Sequence, residues 1–240
     1  MPLPKITTPT YELVLPSTGK KIKYRPFLVK EEKVLILALE SNDVTQITNA
    51  IKTTLKDCIT TRGIKVDELP TFDIEYIFLN VRGKSVGEAI DLVVTCPDDD
   101  ETTVPVKVYI DEIEIQKDKK HKQEIDLDGN LTLKMKYPSL SEFIKNNFDF
   151  SDDESSVEQS FEIVASCIDM VYDKDDVWAA SDCTKKELIA WVETLNTNQF
   201  KMIEEFFATM PKLSHTMKVK NPKTKVESEV KLEGLASFFG

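Results

Sequence analysis

Residues 88–110 read EAIDLVVTCPDDDETTVPVKVYI. Ile90, Leu92 and Val94 alternate up to Cys96-Pro97, and Val104, Val106, Val108 and Ile110 alternate after the acidic stretch Asp98–Glu101. A period of two means that alternate side chains share one face, the mark of a half-buried strand. Two such runs around a polar turn predict a long antiparallel hairpin with an acidic tip. Downstream, Ile125 and Leu127 face Leu131, Leu133 and Met135 across Asp128-Gly129-Asn130, which predicts a second hairpin after a basic loop, Lys117–Lys122, centred on His121. Residues 88–138 are therefore expected to form a small antiparallel sheet.

Upstream of Glu88 the period is helical. Phe72, Ile74, Tyr76, Ile77, Phe78, Leu79 and Val81 follow Leu69-Pro70 with Thr71 as the expected cap, and Gly83 and Gly87 mark the expected end. These residues cover nearly the whole circumference of a helix, so it is predicted to be buried within the chain or against a partner. Before it, Asp43 and Gln46 form a capping box for a helix with Ile47, Ala50, Ile51, Leu55, Cys58 and Ile59 on one face. Pro26 opens an earlier helical stretch, where Glu31 and Glu32 suit the positive end of the helix dipole and Val34–Leu39 is apolar throughout. Tyr11–Leu15 and Lys20–Tyr24 read as a hairpin across Pro16-Ser17-Thr18-Gly19.

Pro138 ends the strand-like region. Ser139 and Glu142 suggest a cap for a short helix, Ser141–Phe148, followed by an acidic loop, Asp149–Glu154. Val157, Phe161, Val164, Ile168 and Val171 predict a helix over 155–171, ending in the polar turn Asp173–Asp176. Thr184 with Glu187, and Asn196 with Gln199, cap two further helices. A last hairpin is expected from Thr216–Lys220 and Lys225–Leu232 around Asn221-Pro222, before the tail Gly234–Gly240. The expected fold class is α+β, in three segments packed as one or two compact units. These are an N-terminal hairpin with helices (1–87), the antiparallel β region (88–138) and a mainly helical region with a C-terminal hairpin and aromatic tail (139–240).

The 240 residues are 41% hydrophobic and 30% charged, which supports a globular core. No run approaches the ~20 apolar residues that span a bilayer. Met1–Thr10 lacks a signal-peptide apolar stretch, so the chain is expected to stay in the cytosol, with Cys58, Cys96, Cys167 and Cys183 as buried thiols. A net charge of −11, with three arginines among 31 basic residues, argues against nucleic acid and anionic membranes as partners. Arginine is the residue that dominates base-edge and bidentate phosphate recognition.

Site chemistry is sparse. No cysteines stand two to four residues apart, as a zinc knuckle requires. Asp98–Glu101 fits no EF-hand spacing and reads as a solvated acidic turn. His121 and His215 read as surface or capping histidines, leaving no evident Ser–His or Cys–His pair. The seven glycines are spread singly and form no phosphate loop. No cofactor and no catalytic or metal residue is expected. Arg25 and Arg82 flank the most apolar helices and read either as local salt-bridge partners or as interface anchors.

Four blocks carry a resemblance. They are Lys21-Ile-Lys-Tyr-Arg-Pro-Phe-Leu-Val-Lys-Glu-Glu-Lys33, the stretch from Phe72 to Glu88, Gln199-Phe200 through Phe206-Phe207 to Leu213, and Leu232 to Phe239. In this order and spacing they resemble the baseplate hub protein family of T-even-like tailed bacteriophages. The resemblance implies a non-enzymatic component at or near the central hub of a contractile-tail baseplate. It would contact other hub or wedge proteins, and could form a homo-oligomer. The alternative is an assembly chaperone that promotes hub formation and leaves. A hydrolase with a composite site on the acidic turns is a third reading, and a tightly bound divalent metal would single it out. Some members of the family carry cysteine pairs in hairpin turns, whereas only Cys96 stands at such a turn here. The candidate interface residues are Arg25, Phe72, Tyr76, Phe78, Arg82, Leu235, Phe238 and Phe239. The last three follow Gly234 and are expected either to fold back near Phe206 and Phe207 or to insert into a partner.

Overall fold

The computed structural model describes residues 6–41, 43–138, 140, 157–234 and 237. Among these the chain forms six α-helices and eleven strands. The α+β class holds, with every strand pair antiparallel and a β-hairpin at the end of the described chain.

β1 (Tyr11–Val14) and β2 (Lys21–Tyr24) form the expected hairpin, with Leu13 opposite Ile22. α1 (Val29–Glu40), α2 (Val44–Cys58) and α3 (Thr71–Val86) follow. α2 is capped as its sequence predicts. The Asp43 carboxylate accepts from the backbone N–H groups of Thr45 and Gln46 and from the Gln46 amide, satisfying donors that a helix start leaves open. α3 differs from expectation at both ends. Pro70, extended at ψ 150°, is the N-cap, and Thr71 is already helical. Gly83 does not end the helix, which runs on to Val86 and stops at Gly87 with φ 130°. Gly83 instead lets the end of the Ile110 side chain pack close against the helix. A Cβ there would stand 2.5 Å from Ile110 Cδ1.

β3 (Ala89–Thr95) and β4 (Thr103–Tyr109) form the hairpin of residues 88–110 as a two-stranded sheet of their own. β5 (Glu114–Gln116) instead pairs with β10 (Lys212–Lys220), which pairs with β11 (Glu227–Glu233). β6 (Glu124–Asp126) and β7 (Thr132–Met135) form the second predicted hairpin. The strands of 88–138 are thus divided among three sheets rather than joined in one.

α4 (Val157–Ser166) stops short of the predicted end. Ile168–Tyr172 is β8, which pairs with β7 and with β9 (Val177–Ala179) through the polar turn Asp173–Asp176. The physical reason is tertiary. Leu133 and Met135 on β7 are fully buried, and Val171 and Ile168 pair opposite them. α5 (Lys185–Glu193) and α6 (Thr197–Thr209) start at the two predicted capping boxes. The predicted cap at Ser139–Glu142 and the helix Ser141–Phe148 lie outside the described residues, as do Leu235, Phe238 and Phe239.

Two apolar clusters result. The first gathers the β1–β2 hairpin, α1–α3 and the β3–β4 hairpin with Leu213, Val219 and Leu232 from the far end of the chain. The second lies between the β6–β9 sheet and α4–α6, with Leu133, Met135, Cys167 and Ile203 at its centre. They meet where the Phe72 ring stands edge-on to Tyr137, centroids 5.0 Å apart.

Candidate interaction surface

The sequence of α1 places more apolar residues than its packing uses. Leu35 and Ala38 point inward against the first core. A single stripe would end there, yet Val29 is 79% exposed, Leu37 54%, Ile36 49% and Val34 47%, with Leu28 and Leu39 exposed as well. Six large apolar side chains on twelve consecutive residues make a contiguous patch, unlike the scattered singles that surfaces normally carry.

One flank of this helix borders a groove of about 380 Å³. Ile36 and Leu39 of α1, Ile47 and Ile51 of α2, and Phe78, Arg82 and Val86 of α3 line it, with Phe27 at one end. Val34 and Leu37 lie on the other flank. Burial holds the Arg82 guanidinium below its ordinary pKa. Arginine stays charged at physiological pH all the same.

The start of α1 is fixed by Glu31. Its carboxylate accepts from Arg25 Nη2 at 2.8 Å and from the Leu28 N–H at 2.7 Å. Burial pushes this carboxyl up, but the bonds from Arg25, Leu28 and Lys30 more than offset it and bring the pKa down to about 2. Arg25 also donates to the Pro26 carbonyl, and Ser85 Oγ of α3 accepts from the Phe27 N–H. These bonds tie the entry of α1 to the end of α3 and hold the groove walls together.

Of the predicted interface residues, the structure brings Phe78 and Arg82 into this groove, while Arg25 does not line it and pairs with Glu31 at the start of α1. Phe72 is elsewhere, 2% exposed against Tyr137 at the junction of the cores. Tyr76 is half-buried on another face of α3, where its carbonyl accepts from Asn80. The α1 patch itself was not singled out from the sequence. Its signal is the run of six consecutive apolar residues from Val34 to Leu39, of which a helix can turn only about half inward. A second patch, Val177 and Trp178 of β9, is also exposed beside Leu188 and Trp191 of α5.

Other candidates change character. His121 is not a surface residue. Its ring is half-buried between Tyr137 and Phe206, and its nitrogens lie 3.0 Å from Thr209 Oγ1 and from Tyr137 Oη. Burial lowers its pKa from 6.5. His215 sits in β10, with Nδ1 donating to the Glu112 carbonyl at 3.1 Å. The acidic tip is docked rather than simply solvated. Asp98 accepts from the Asn221 amide at 3.1 Å and from Thr224 Oγ1 in the β10–β11 turn, and Asp99 accepts from Thr102. Cys58, Cys96 and Cys167 are buried thiols, but Cys183 is exposed. Among the described residues no group of three or more His, Cys, Asp or Glu side chains is placed to hold a metal, and no helix is long and apolar enough to cross a membrane.

What the geometry offers is an apolar helix face with an adjoining groove, suited to protein contact. The sequence matches the T4 bacteriophage base plate protein family over residues 8–240. The chain belongs to that family. No curated protein and no solved structure matches it. Membership gives this base plate protein a structural role in a phage tail baseplate, in a family that is generally non-enzymatic, and implies contacts with other baseplate proteins.

Proposed function

We propose that this base plate protein is a component at or near the central hub, held there through the exposed face of α1. The observation that carries the reading is the patch on α1. Burying one large apolar side chain contributes about 1.5–3 kcal/mol, so several half-exposed ones in a row are enough to anchor a partner helix or strand. Arg25, Pro26 and Phe27, within the block that resembles the hub family, fix the start of that helix. The surface carries a net charge of −11, which keeps the free protein soluble while the patch awaits its partner.

The same patch suits an assembly chaperone that covers a hub subunit and then departs, and a homo-oligomer joined through α1. A variant carrying Val34→Glu and Leu37→Glu separates contact from folding, because both side chains lie on the flank away from the groove and the core. It is expected to keep its thermal midpoint and to lose co-purification with hub proteins from infected cells. Undiminished co-purification would remove α1 as the docking element. Sedimentation of the unmodified chain reports self-association directly.

A further inference from the structure

We propose that β9 is a docking edge for an extended, basic segment of a partner protein, which adds a strand to the sheet and seats one large apolar side chain in the pocket beside Trp178. This surface belongs to the second core, so the proposal goes beyond the reading of α1 and does not depend on it. β9 is the last strand in the order β6-β7-β8-β9, and among the described residues no strand pairs with its outer side. An edge strand presents unpaired N–H and C=O groups. The Asp173 N–H donates to the Asp176 carbonyl, which makes 173 and 176 a hydrogen-bonded pair. Such pairs alternate along an antiparallel ladder, so Val171 and Trp178 form the next one, and the backbone groups of Val177 and Ala179 point outward. Proteins usually blunt an edge with charge or proline. This one reads Val-Trp-Ala, with Val177 66% and Trp178 49% exposed.

A pocket of about 420 Å³ lies beside this edge. Leu131, Val171 and Trp178 of the sheet region and Leu188 and Trp191 of α5 line it, with Cys183 on its wall. Trp178 and Cys183 are both exposed, so the pocket reaches the surface next to β9. An added strand alternates its side chains between the two faces of the sheet. One on the α5 side lies over the pocket, and its neighbours project away from it. Backbone pairing with a three-residue strand is short, so the apolar side chain in the pocket carries most of the affinity and the ladder fixes the direction.

The rim selects the charge of the occupant. The β6–β7 and β8–β9 turns lie at the same end of the sheet, because Thr132 pairs with Tyr172 and Tyr172 with Val177. Asp126, Asp128, Asp173, Asp175 and Asp176 gather there against Lys174. Bonds from backbone N–H groups hold the Asp128 and Asp173 carboxyls below their ordinary pKa, so both are charged at neutral pH. Beyond the other end of β9, Asp182 is exposed and Glu187 lines the pocket. Lys186 opposes them, whereas Lys185 is already paired with Glu162 at 2.8 Å. A basic segment therefore meets opposite charge at both ends of the edge. A second copy of the chain, paired antiparallel, would set Asp175 and Asp176 of one edge against Asp182 and Glu187 of the other. Like charges opposed in this way destabilise the pairing, so the occupant is a different protein.

Titration of the full chain with a synthetic peptide, acetyl-Lys-Val-Lys-Phe-Lys-Val-Lys-amide, tests this. Trp178 and Trp191 are the two tryptophans and both line the pocket, so their emission is expected to shift to shorter wavelength. Cys183 is the exposed cysteine, and its alkylation by iodoacetamide is expected to slow about tenfold with the peptide at about ten times its Kd. Serine in place of the peptide's phenylalanine is expected to weaken binding at least about tenfold. Asp175→Lys with Asp176→Lys, on the exposed turn, is expected to weaken the original peptide about tenfold at low salt while leaving the thermal midpoint unchanged. Four results would overturn the proposal: no protection of Cys183, equal binding of a peptide with glutamate in place of every lysine, equal binding of the serine peptide, or undiminished binding to the charge-reversed variant. Protection of Cys183 in the chain alone that is lost on dilution would also overturn it, because a second copy would then occupy the edge.

Discussion

At Glu31, burial and pairing act against each other, and pairing wins. The carboxyl titrates near 2 in the fold against an ordinary 4.5, so its contribution is fully present above pH 4.5 and is lost as pH falls toward 2. Glu31→Gln leaves Arg25 without its carboxylate. It is expected to cost about 3 kcal/mol at neutral pH and to flatten the loss of stability between pH 4.5 and 2, measured as urea midpoints across that range. An unchanged acid limb would show that Glu31 is not the group responsible. The sequence at this scale was partly legible. Glu31 was readable as a first-turn acid and Arg25 as a local ion-pair partner, but not their joint burial, because that depends on how α3 and Ser85 close over the start of α1.

Elements follow their caps and periods where the packing is local. Asp43, Thr184 and Asn196 start helices where their capping residues place them, since the bonds they make lie within four residues. The helix predicted over 155–171 fails after Ser166 because its continuation also suits a strand, and β7 supplies the partner from thirty-odd residues away. The apolar run of α1 was visible as letters, yet its exposed flanks become visible only once α2 and α3 take the inward positions. The Lys117–Lys122 loop was read as surface, and His121 was drawn inward by rings from two distant segments, Tyr137 and Phe206. That burial lowers the folded pKa of His121, so its contribution is present above pH 6.5 and lost as pH falls through the folded value. His121→Gln keeps a hydrogen-bonding side chain without the titration. It is expected to reduce the drop in thermal midpoint between pH 7 and 5, and an equal drop in both proteins would contradict this.

For the whole molecule, the chain crosses between two cores. Residues up to 115 build the first, 125–207 apart from Leu140 build the second, and Leu140, Leu213, Val219 and Leu232 belong to the first. We propose that the segments 1–87, 88–138 and 139–240 unfold as one unit, since the middle segment supplies strands to both cores and Phe72 meets Tyr137 between them. Trp178 and Trp191 are the two tryptophans, and both lie beside the second core. Their fluorescence midpoint should therefore coincide with the far-ultraviolet midpoint of the entire chain. Separate midpoints would mean two independent units.

We propose that the chain stays in the baseplate through α1. Quantitative mass spectrometry of purified tails tests it, comparing infections supplied with the unmodified protein and with the Val34→Glu, Leu37→Glu variant. The unmodified protein is expected at a fixed, integral copy number per tail, and the variant is expected to be lost from the particles. Abundant protein in infected cells with none in completed tails would contradict it and identify a chaperone instead.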